Sequence, residues 1–271
     1  MKANRIEHGR RTWLVVIGSI VILCAIAICI RIGYNRLKDL YLEQCVIRNM
    51  TTQVEITSGK MVHPSTVAEE FGLKVGRNLA EIDFARKREE VLAKIPNLLT
   101  IKVTRKLPDK VFITAVERTP IARMGIRGDK RTTGRVVDSE GMVFLCQRGT
   151  QALPTIYENA APGTHPGQKI KRRTLAALRL IEACRDPDLT EFRILEVDTS
   201  KRDFLIATLS NYSRVKILWD DMDAPSARTE KDLQLRLARL RDAIRSKVAP
   251  ETVIWNATMP DMIFADTQGE L

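Results

Sequence analysis

The chain has 271 residues, and its 44 lysine and arginine side chains against 33 aspartate and glutamate side chains give a formal net charge of +11. Hydrophobic residues make up 44% of the chain, which is enough apolar material for a packed core and excludes wholesale disorder. Five cysteines in a chain of this length exclude a disulfide-dense scaffold. The length predicts one or two domains.

The positive charge is concentrated in the first two thirds of the chain. Residues 1–50 carry 8 basic and 3 acidic side chains and residues 121–173 carry 10 and 4, whereas residues 174–271 carry 14 and 17. Because the excess at the front flanks a hydrophobic run, it indicates a membrane surface before it indicates a nucleic acid. We expect a lipid bilayer as a partner and no nucleic acid.

The N-terminal hydrophobic run has the length of a membrane span. Residues 13–30 are 18 consecutive residues without a charge, which as a helix would rise roughly 27 Å. Ile32 can extend the run if Arg31 reaches back to the lipid headgroups. The pattern predicts a transmembrane helix over 13–32 with Trp13 and Ile32 at its ends, after a cytoplasmic tail over 1–12 and before a juxtamembrane linker over 33–51.

Three other interpretations of this run are weaker. A buried core helix does not suit a terminal position between basic flanks. A cleavable signal peptide needs a small-residue cleavage site after the apolar stretch, but Ala25-Ile26-Ala27 lies inside it. A lipoprotein needs a small residue before its cysteine, whereas Cys24 follows leucine and Cys29 follows isoleucine. Basic residues are equally numerous on both sides, and the tighter cluster in front favours a cytoplasmic N-terminus.

Residues 52–118 have the pattern of a compact α+β module in the order β-α-α-β-β. Alternating residues predict a strand at 53–56, Thr66 begins a short helix that Gly72 ends, and Asp83 caps a second helix that Pro96 ends. Two alternating strands follow, joined by a turn at 107–110. Two helices on one face of a three-stranded sheet would bury both apolar stripes.

Two motifs in this module resemble a known family. The segments G-R-N-L-A-E-I-D, from Gly76 to Asp83, and P-D-K-V-F-I-T-A-V-E-R-T-P-I-A-R, from Pro108 to Arg123, resemble the POTRA domain of the FtsQ/DivIB family of bacterial cell-division proteins. The resemblance continues through the hairpin V-V-D-S-E-G-M-V-F at 136–144 and the segment L-P-T-I-Y at 153–157. It covers about 13–266 and is strongest over 76–145.

The resemblance implies a fold class and a domain order. The fold class is α+β, with one N-terminal transmembrane helix, a POTRA domain over 52–120, and an FtsQ-type mixed β-sheet domain with two helices over 121–266. A short tail follows over 267–271. Within the β domain, apolar spacing predicts helices at about 172–185 and 227–247 and strands at 193–198, 204–209 and 214–219.

The same resemblance implies a function. It points to a scaffold of the divisome, placed in the inner membrane at the septum as a single-pass protein with its bulk in the periplasm. Such a protein links the early protein FtsK to the late proteins FtsB and FtsL through protein contacts, some of them by addition of a partner strand to a sheet edge. Plain core packing is the alternative for the candidate docking residues, which are Met259, Met262, Ile263 and Phe264 in the C-terminal strand and Arg236 and Arg239 on the preceding helix.

No motif for catalysis, a cofactor or a metal stands out in the sequence. There is no H-E-x-x-H, G-x-S-x-G, Walker-type loop or C-x-x-C, and Cys45, Cys146 and Cys184 are far apart. We expect no enzyme activity, no cofactor and no small-molecule substrate. One alternative function is a POTRA-type chaperone or docking protein for outer-membrane protein assembly or secretion, although such chains carry repeated POTRA units and a C-terminal barrel. Another is a membrane-bound cell-wall hydrolase.

Overall fold

The computed structural model describes residues 4–106, 108–128, 134–159, 163–224, 226–246 and 254–265, with side chains from residue 22 onward. The predicted tail at 267–271 lies outside these ranges. The helices are α1 Asn4–Gln44, α2 Met50–Gln53, α3 Pro64–Phe71, α4 Phe84–Lys94, α5 Arg172–Ala183 and α6 Ala227–Arg245, with a 3-10 turn at Leu79–Glu81. The strands are β1 Val54–Thr57, β2 Leu98–Lys106, β3 Lys110–Glu117, β4 Ala122–Ile126, β5 Arg135–Val137, β6 Val143–Leu145, β7 Thr155–Glu158, β8 Ile194–Asp198, β9 Leu205–Leu209, β10 Arg214–Ile217, β11 Ile254–Ala257 and β12 Phe264–Ala265.

Helix α1 contains the segment predicted to span a membrane, and the structure corrects that prediction. The side chain of Trp13, one predicted end, lies outside the described part, and Ile32, the other, is exposed. Among the described residues no helix has both the length and the apolar character needed to cross a membrane. The transmembrane helix in the predicted fold class is therefore wrong.

The rest of the described residues form an α+β structure with two sheets. A three-stranded sheet has the order β1-β3-β2, and a nine-stranded mixed sheet has the order β12-β11-β10-β9-β8-β7-β4-β5-β6. The chain divides into two compact units. The first comprises 1–57, 64–88 and 102–114, and the second comprises 58–63, 89–101 and 115–271.

In the first unit, the motif G-R-N-L at 76–79 forms hydrogen bonds with the end of α1 and the residues that follow it. The N–H of Gly76 donates to the carbonyl of Ile47 at 2.8 Å, and the N–H of Leu79 donates to the carbonyl of Cys45 at 2.9 Å. Asn78 has two roles, because its Oδ1 accepts from Ala80 at 2.9 Å and its Nδ2 donates to the carbonyl of Leu42 at 3.0 Å. Gly76 has a φ of +86°, where a side chain would be strained. The motif is thus explained by local packing.

In the α+β module over 52–118, which we call the small module, local residues determine where the helices begin. The Oδ1 of Asp83 accepts the N–H groups of Ala85 and Arg86, both at 3.1 Å, so the predicted cap of α4 is confirmed. Helix α3 begins at Pro64, earlier than the Thr66 start that the capping-box spacing predicted. Proline suits the first helical position because its fixed φ is helical and its missing N–H would have had no partner there. The observed order of elements is β-α-α-β-β.

In the second unit, two helices cover one face of the nine-stranded sheet. Helix α5 connects the parallel strands β7 and β8, and α6 connects the parallel strands β10 and β11, as parallel neighbours require a crossover. The two helices share one core cluster with alternate residues of the strands. Its members include Ala177, Leu180 and Ile181 of α5, Leu233, Leu237 and Leu240 of α6, and Leu205, Ala207, Val215, Ile217 and Trp255 of the sheet.

Two residues in the E-R-T-P-I-A part of the second motif form hydrogen bonds with loops of this unit. The carboxylate of Glu117 accepts three successive backbone N–H groups, from Lys60, Met61 and Val62, at 2.7–2.9 Å. The next residue, Arg118, donates to Asp138 and to Glu140. Glu117 therefore supplies an acceptor for the N–H groups of 60–62, and Arg118 supplies donors for the two carboxylates. Polar groups that are removed from water need such partners.

Replacing Glu117 with glutamine should lower the free energy of unfolding by about 1–3 kcal/mol, because an amide accepts these N–H groups less strongly and adds a donor with no acceptor. The measurement is urea unfolding of the full chain, followed by circular dichroism. The matched control is Glu55→Gln on β1, whose side chain is exposed. Equal midpoints for both variants and the parent would show that the carboxylate does not hold the 60–62 loop.

Candidate functional site

The two outer strands of the nine-stranded sheet, β6 and β12, differ in whether other residues form hydrogen bonds with their outer sides. On β6, Val143 donates to the carbonyl of Gln168 at 3.0 Å and accepts from Gly167 at 2.8 Å. The carbonyl of Leu145 accepts from Asn97 Nδ2 at 2.7 Å. The β6 edge is therefore covered by other parts of the same unit.

The opposite edge is β12, which among the described strands pairs with β11 alone. Trp255 lies opposite Ala265, and Asn256 lies opposite Phe264, in antiparallel register. On the outer side of an edge strand, alternate N–H and C=O groups have no neighbouring strand to bond. This side of β12 has the chemistry needed to accept one further strand.

Three of the four docking residues predicted in the C-terminal segment are exposed at this edge. The exposed fractions are 54% for Met259, 66% for Met262 and 43% for Phe264. Ile263 is half-buried and packs against the core cluster, so it contributes to folding. The exposed side chains are large and apolar, and methionine adapts its shape to a partner at little cost. We call Met259, Met262 and Phe264 with the backbone of β12 the C-terminal edge.

A polar turn sets the direction in which the chain leaves β11. Asn256 Oδ1 accepts the backbone N–H of Thr258 at 3.1 Å and its hydroxyl at 2.7 Å. This Asx turn ends the pairing of β11 after Ala257 and reverses the chain toward β12. The exposed methionines lie on the loop that the turn creates.

Arg236, predicted as a docking residue, lies inside the protein. It is 3% exposed, its Nε donates to Asp232 Oδ2 at 3.1 Å, and its Nη1 donates to the carbonyl of Thr258 at 3.3 Å. Asp232 Oδ2 also accepts the N–H of Asp220 at 3.0 Å. Arg236 therefore holds the loop before β12 against α6 and cannot reach a partner. It is a positioning residue for the C-terminal edge.

Arg239 lies one helical turn further along α6 and its side chain is 44% exposed. Its Nη1 donates to the carbonyl of Pro260 and contacts Asp261 Oδ1 at 3.3 Å. Other basic residues of α6 bind loops of the same unit. Arg241 donates to the carbonyl of Asp188 at 3.1 Å, and Arg245 pairs with Glu191 at 3.1 Å. Much of the basic face thus has an intramolecular role.

Sequence reasoning missed the residues that make the two edges different. Nothing in the sequence around Asn97, which follows Pro96, indicates that its side chain donates to the carbonyl of Leu145. The two residues are 48 positions apart in the sequence. The signal at the other edge was present, because a short strand after a polar turn is often a sheet edge. Among the described residues, no group of three histidine, cysteine, aspartate or glutamate side chains could hold a metal ion.

Comparisons of the sequence with known proteins give no relative. A scan against protein-family models finds no model that matches the chain. A search of curated proteins also finds no match.

Replacing Arg236 with alanine should lower the free energy of unfolding by about 2–4 kcal/mol, because it removes a buried charge that pairs with Asp232 and bonds Thr258. Replacing the exposed Arg239 with alanine should change it by no more than about 0.5 kcal/mol. Chemical denaturation of both variants measures the difference. Equal losses would contradict the distinction drawn between the two arginines.

Proposed function

We propose that this chain is a non-catalytic scaffold of bacterial cell division that holds other division proteins together at the septum. The observation that carries the proposal is the unequal treatment of the two sheet edges. One edge is covered within its own unit, whereas the C-terminal edge combines an outer strand face with exposed apolar side chains. The family resemblance of the motifs over 76–145 supplies the biological setting.

The proposed partner of the C-terminal edge is FtsB, itself paired with FtsL. A strand of FtsB would extend the sheet beyond β12, and backbone hydrogen bonds would supply the affinity. Specificity would come from the exposed apolar side chains Met259, Met262 and Phe264, and from Arg239 and Asp261 beside them. Aromatic and methionine side chains are enriched in the buried centres of protein interfaces, which suits this composition.

The proposed role of the small module is recruitment, through FtsK. Its sheet order, β1-β3-β2, leaves β1 and β2 at the edges, so it also offers strands for pairing. Two binding sites on one chain would connect an early division protein to late ones, and tethering several proteins together raises their effective concentrations. Modest individual contacts are then sufficient.

The proposed location is the division septum at the cell inner membrane, with the folded units in the periplasm. The proposal does not need the protein's own membrane span. FtsB, FtsL and FtsK are membrane proteins in this family's division complexes, and binding to them would hold the scaffold at the membrane.

The direct test is the variant Phe264→Asp, measured by equilibrium binding to a purified FtsB–FtsL complex from the same organism. A carboxylate at the centre of the edge would be desolvated without a partner, so we expect the Kd to rise at least about tenfold. The matched control is Leu145→Asp on β6, which places the same charge at an exposed apolar position, 51% exposed, on the covered edge. That variant should bind like the parent.

Two outcomes would contradict the proposal. One is unchanged binding by a folded Phe264→Asp variant, and the other is an equal loss in both variants. In cells, depletion should give filaments, because septal synthesis would lack its scaffold. Loss of outer-membrane barrels without a division defect would instead indicate a role in outer-membrane protein assembly.

A further inference from the structure

A short series of hydrogen bonds connects the loop before β12 to the loop between β10 and α6. It begins at the backbone of Asp220, passes through the side chains of Asp232 and Arg236 on α6, and ends at the backbone of Thr258. All four residues belong to the second unit. Two loops that are far apart in sequence are therefore held by the same pair of helical side chains.

Asp232 occupies a fixed position near the start of α6. The side chain of Ser226 accepts the N–H of Thr229, and the hydroxyl of Thr229 accepts the N–H of Ser226, so a capping box sets where the helix begins. Asp232 Oδ2 accepts two donors, the N–H of Asp220 at 3.0 Å and the Nε of Arg236 at 3.1 Å. The spacing of four residues places Asp232 and Arg236 on one face of the helix. The carboxylate therefore fixes the guanidinium relative to the β10–α6 loop.

Arg236 links this carboxylate to the loop before β12. Its side chain is buried, and a buried guanidinium needs partners in a well-defined geometry. The guanidinium is planar and rigid, so a bond that fixes Nε also fixes the direction of Nη1. Nη1 donates to the carbonyl of Thr258 at 3.3 Å. Asp232 therefore determines where Arg236 points, and Arg236 determines where the carbonyl of Thr258 lies.

Thr258 is the residue at which the chain leaves β11 and turns toward β12. Asn256 Oδ1 accepts its N–H and its hydroxyl, and Arg236 binds its carbonyl, so its backbone is held on both sides. A second contact of α6 with this loop is exposed to water, because the side chains of Arg239 and Asp261 are 44% and 85% exposed. Exposed ion pairs contribute little to stability. The buried bond from Arg236 therefore supplies most of the restraint.

We infer that Asp232 is a positioning residue for the C-terminal edge, and that it acts through Arg236. The inference rests on the proposed function, because it concerns the strand addition proposed at β12. A loop that is ordered in the free protein loses less conformational entropy when a partner binds. Removing the carboxylate should therefore weaken strand addition without removing any of the exposed side chains of the C-terminal edge.

The first measurement is made by NMR on the full chain without a partner. Asp232→Ala removes the acceptor, and we expect the backbone order parameters of residues 258–263 to fall from about 0.85 to below about 0.6. Those of β9, residues 205–209, should stay at the parent value, which shows that the sheet is intact. The matched control is Asp242→Ala on the same helix, whose side chain is 65% exposed and pairs with Arg241. Its order parameters should equal those of the parent.

Two further variants test whether Asp232 acts through Arg236. Arg236→Lys keeps the positive charge but replaces the rigid fork with one flexible ammonium, so it should lower the same order parameters. Asp232→Asn keeps the shape of the side chain and loses its charge, so it should give a smaller decrease at the same residues. Because the two residues act as a unit, Asp232→Ala combined with Arg236→Lys should give no larger change than either variant alone.

The second measurement is the Kd for the purified FtsB–FtsL complex. Asp232→Ala and Arg236→Lys should each raise the Kd about fivefold, and the double variant should also raise it about fivefold, whereas independent effects would multiply to about 25-fold. Asp242→Ala should bind like the parent.

Four outcomes would overturn the inference. They are parent-like order parameters at 258–263 in Asp232→Ala, an equal loss of order at 205–209, a parent-like Kd for that variant, and multiplied effects in the double variant. Failure of the parent protein to bind FtsB–FtsL would instead contradict the proposed function. The order parameters of the free protein would then still decide whether Asp232 positions the loop before β12.

Discussion

Hydrogen bonding at the two edges of the nine-stranded sheet governs how this protein can bind another chain. Backbone groups on an outer strand need partners, and a protein can supply them itself or leave them to another chain. On β6 the side chain of Asn97 and the backbone of 167–168 supply them. Among the described strands, β12 pairs with β11 on its inner side and with no strand on its outer side. Among the described residues, the outer side of β12 is therefore the place where we propose that a further strand is added.

The C-terminal edge is held in place before any partner arrives. In the loop before β12, Arg236 donates to the carbonyl of Thr258 and Arg239 donates to the carbonyl of Pro260. Ile263 adds an apolar contact with the core. An interface that is ordered in the free protein loses less conformational entropy on binding, so a short strand of two residues can still serve as a template.

Local elements of the fold could be predicted from the sequence because local rules determine them. The cap at Asp83 and the helix end at Gly72, whose φ is +70°, follow from the chemistry of single residues. The transmembrane helix at 13–32 was predicted wrongly, since an uncharged run indicates apolar composition and does not by itself establish a span. The strand order could not be predicted from the sequence, because the parallel pairing of β1 with β3 depends on contacts between residues far apart in sequence.

The candidate site was only partly predictable, because it too depends on contacts between residues far apart in sequence. The family resemblance indicated Met259, Met262 and Phe264 as docking residues, but burial separated Arg236 from Arg239, and the two look alike in the sequence.

Hydrogen–deuterium exchange of the full chain, with and without the FtsB–FtsL complex, shows most directly whether the partner binds at the C-terminal edge. We predict that binding slows exchange at the backbone amides of Phe264 and Ala265, while the covered edge at 143–145 exchanges as before. Unchanged exchange at 264–265 in a complex that is demonstrably formed would contradict the proposal, because the partner would then be bound somewhere other than the outer side of β12.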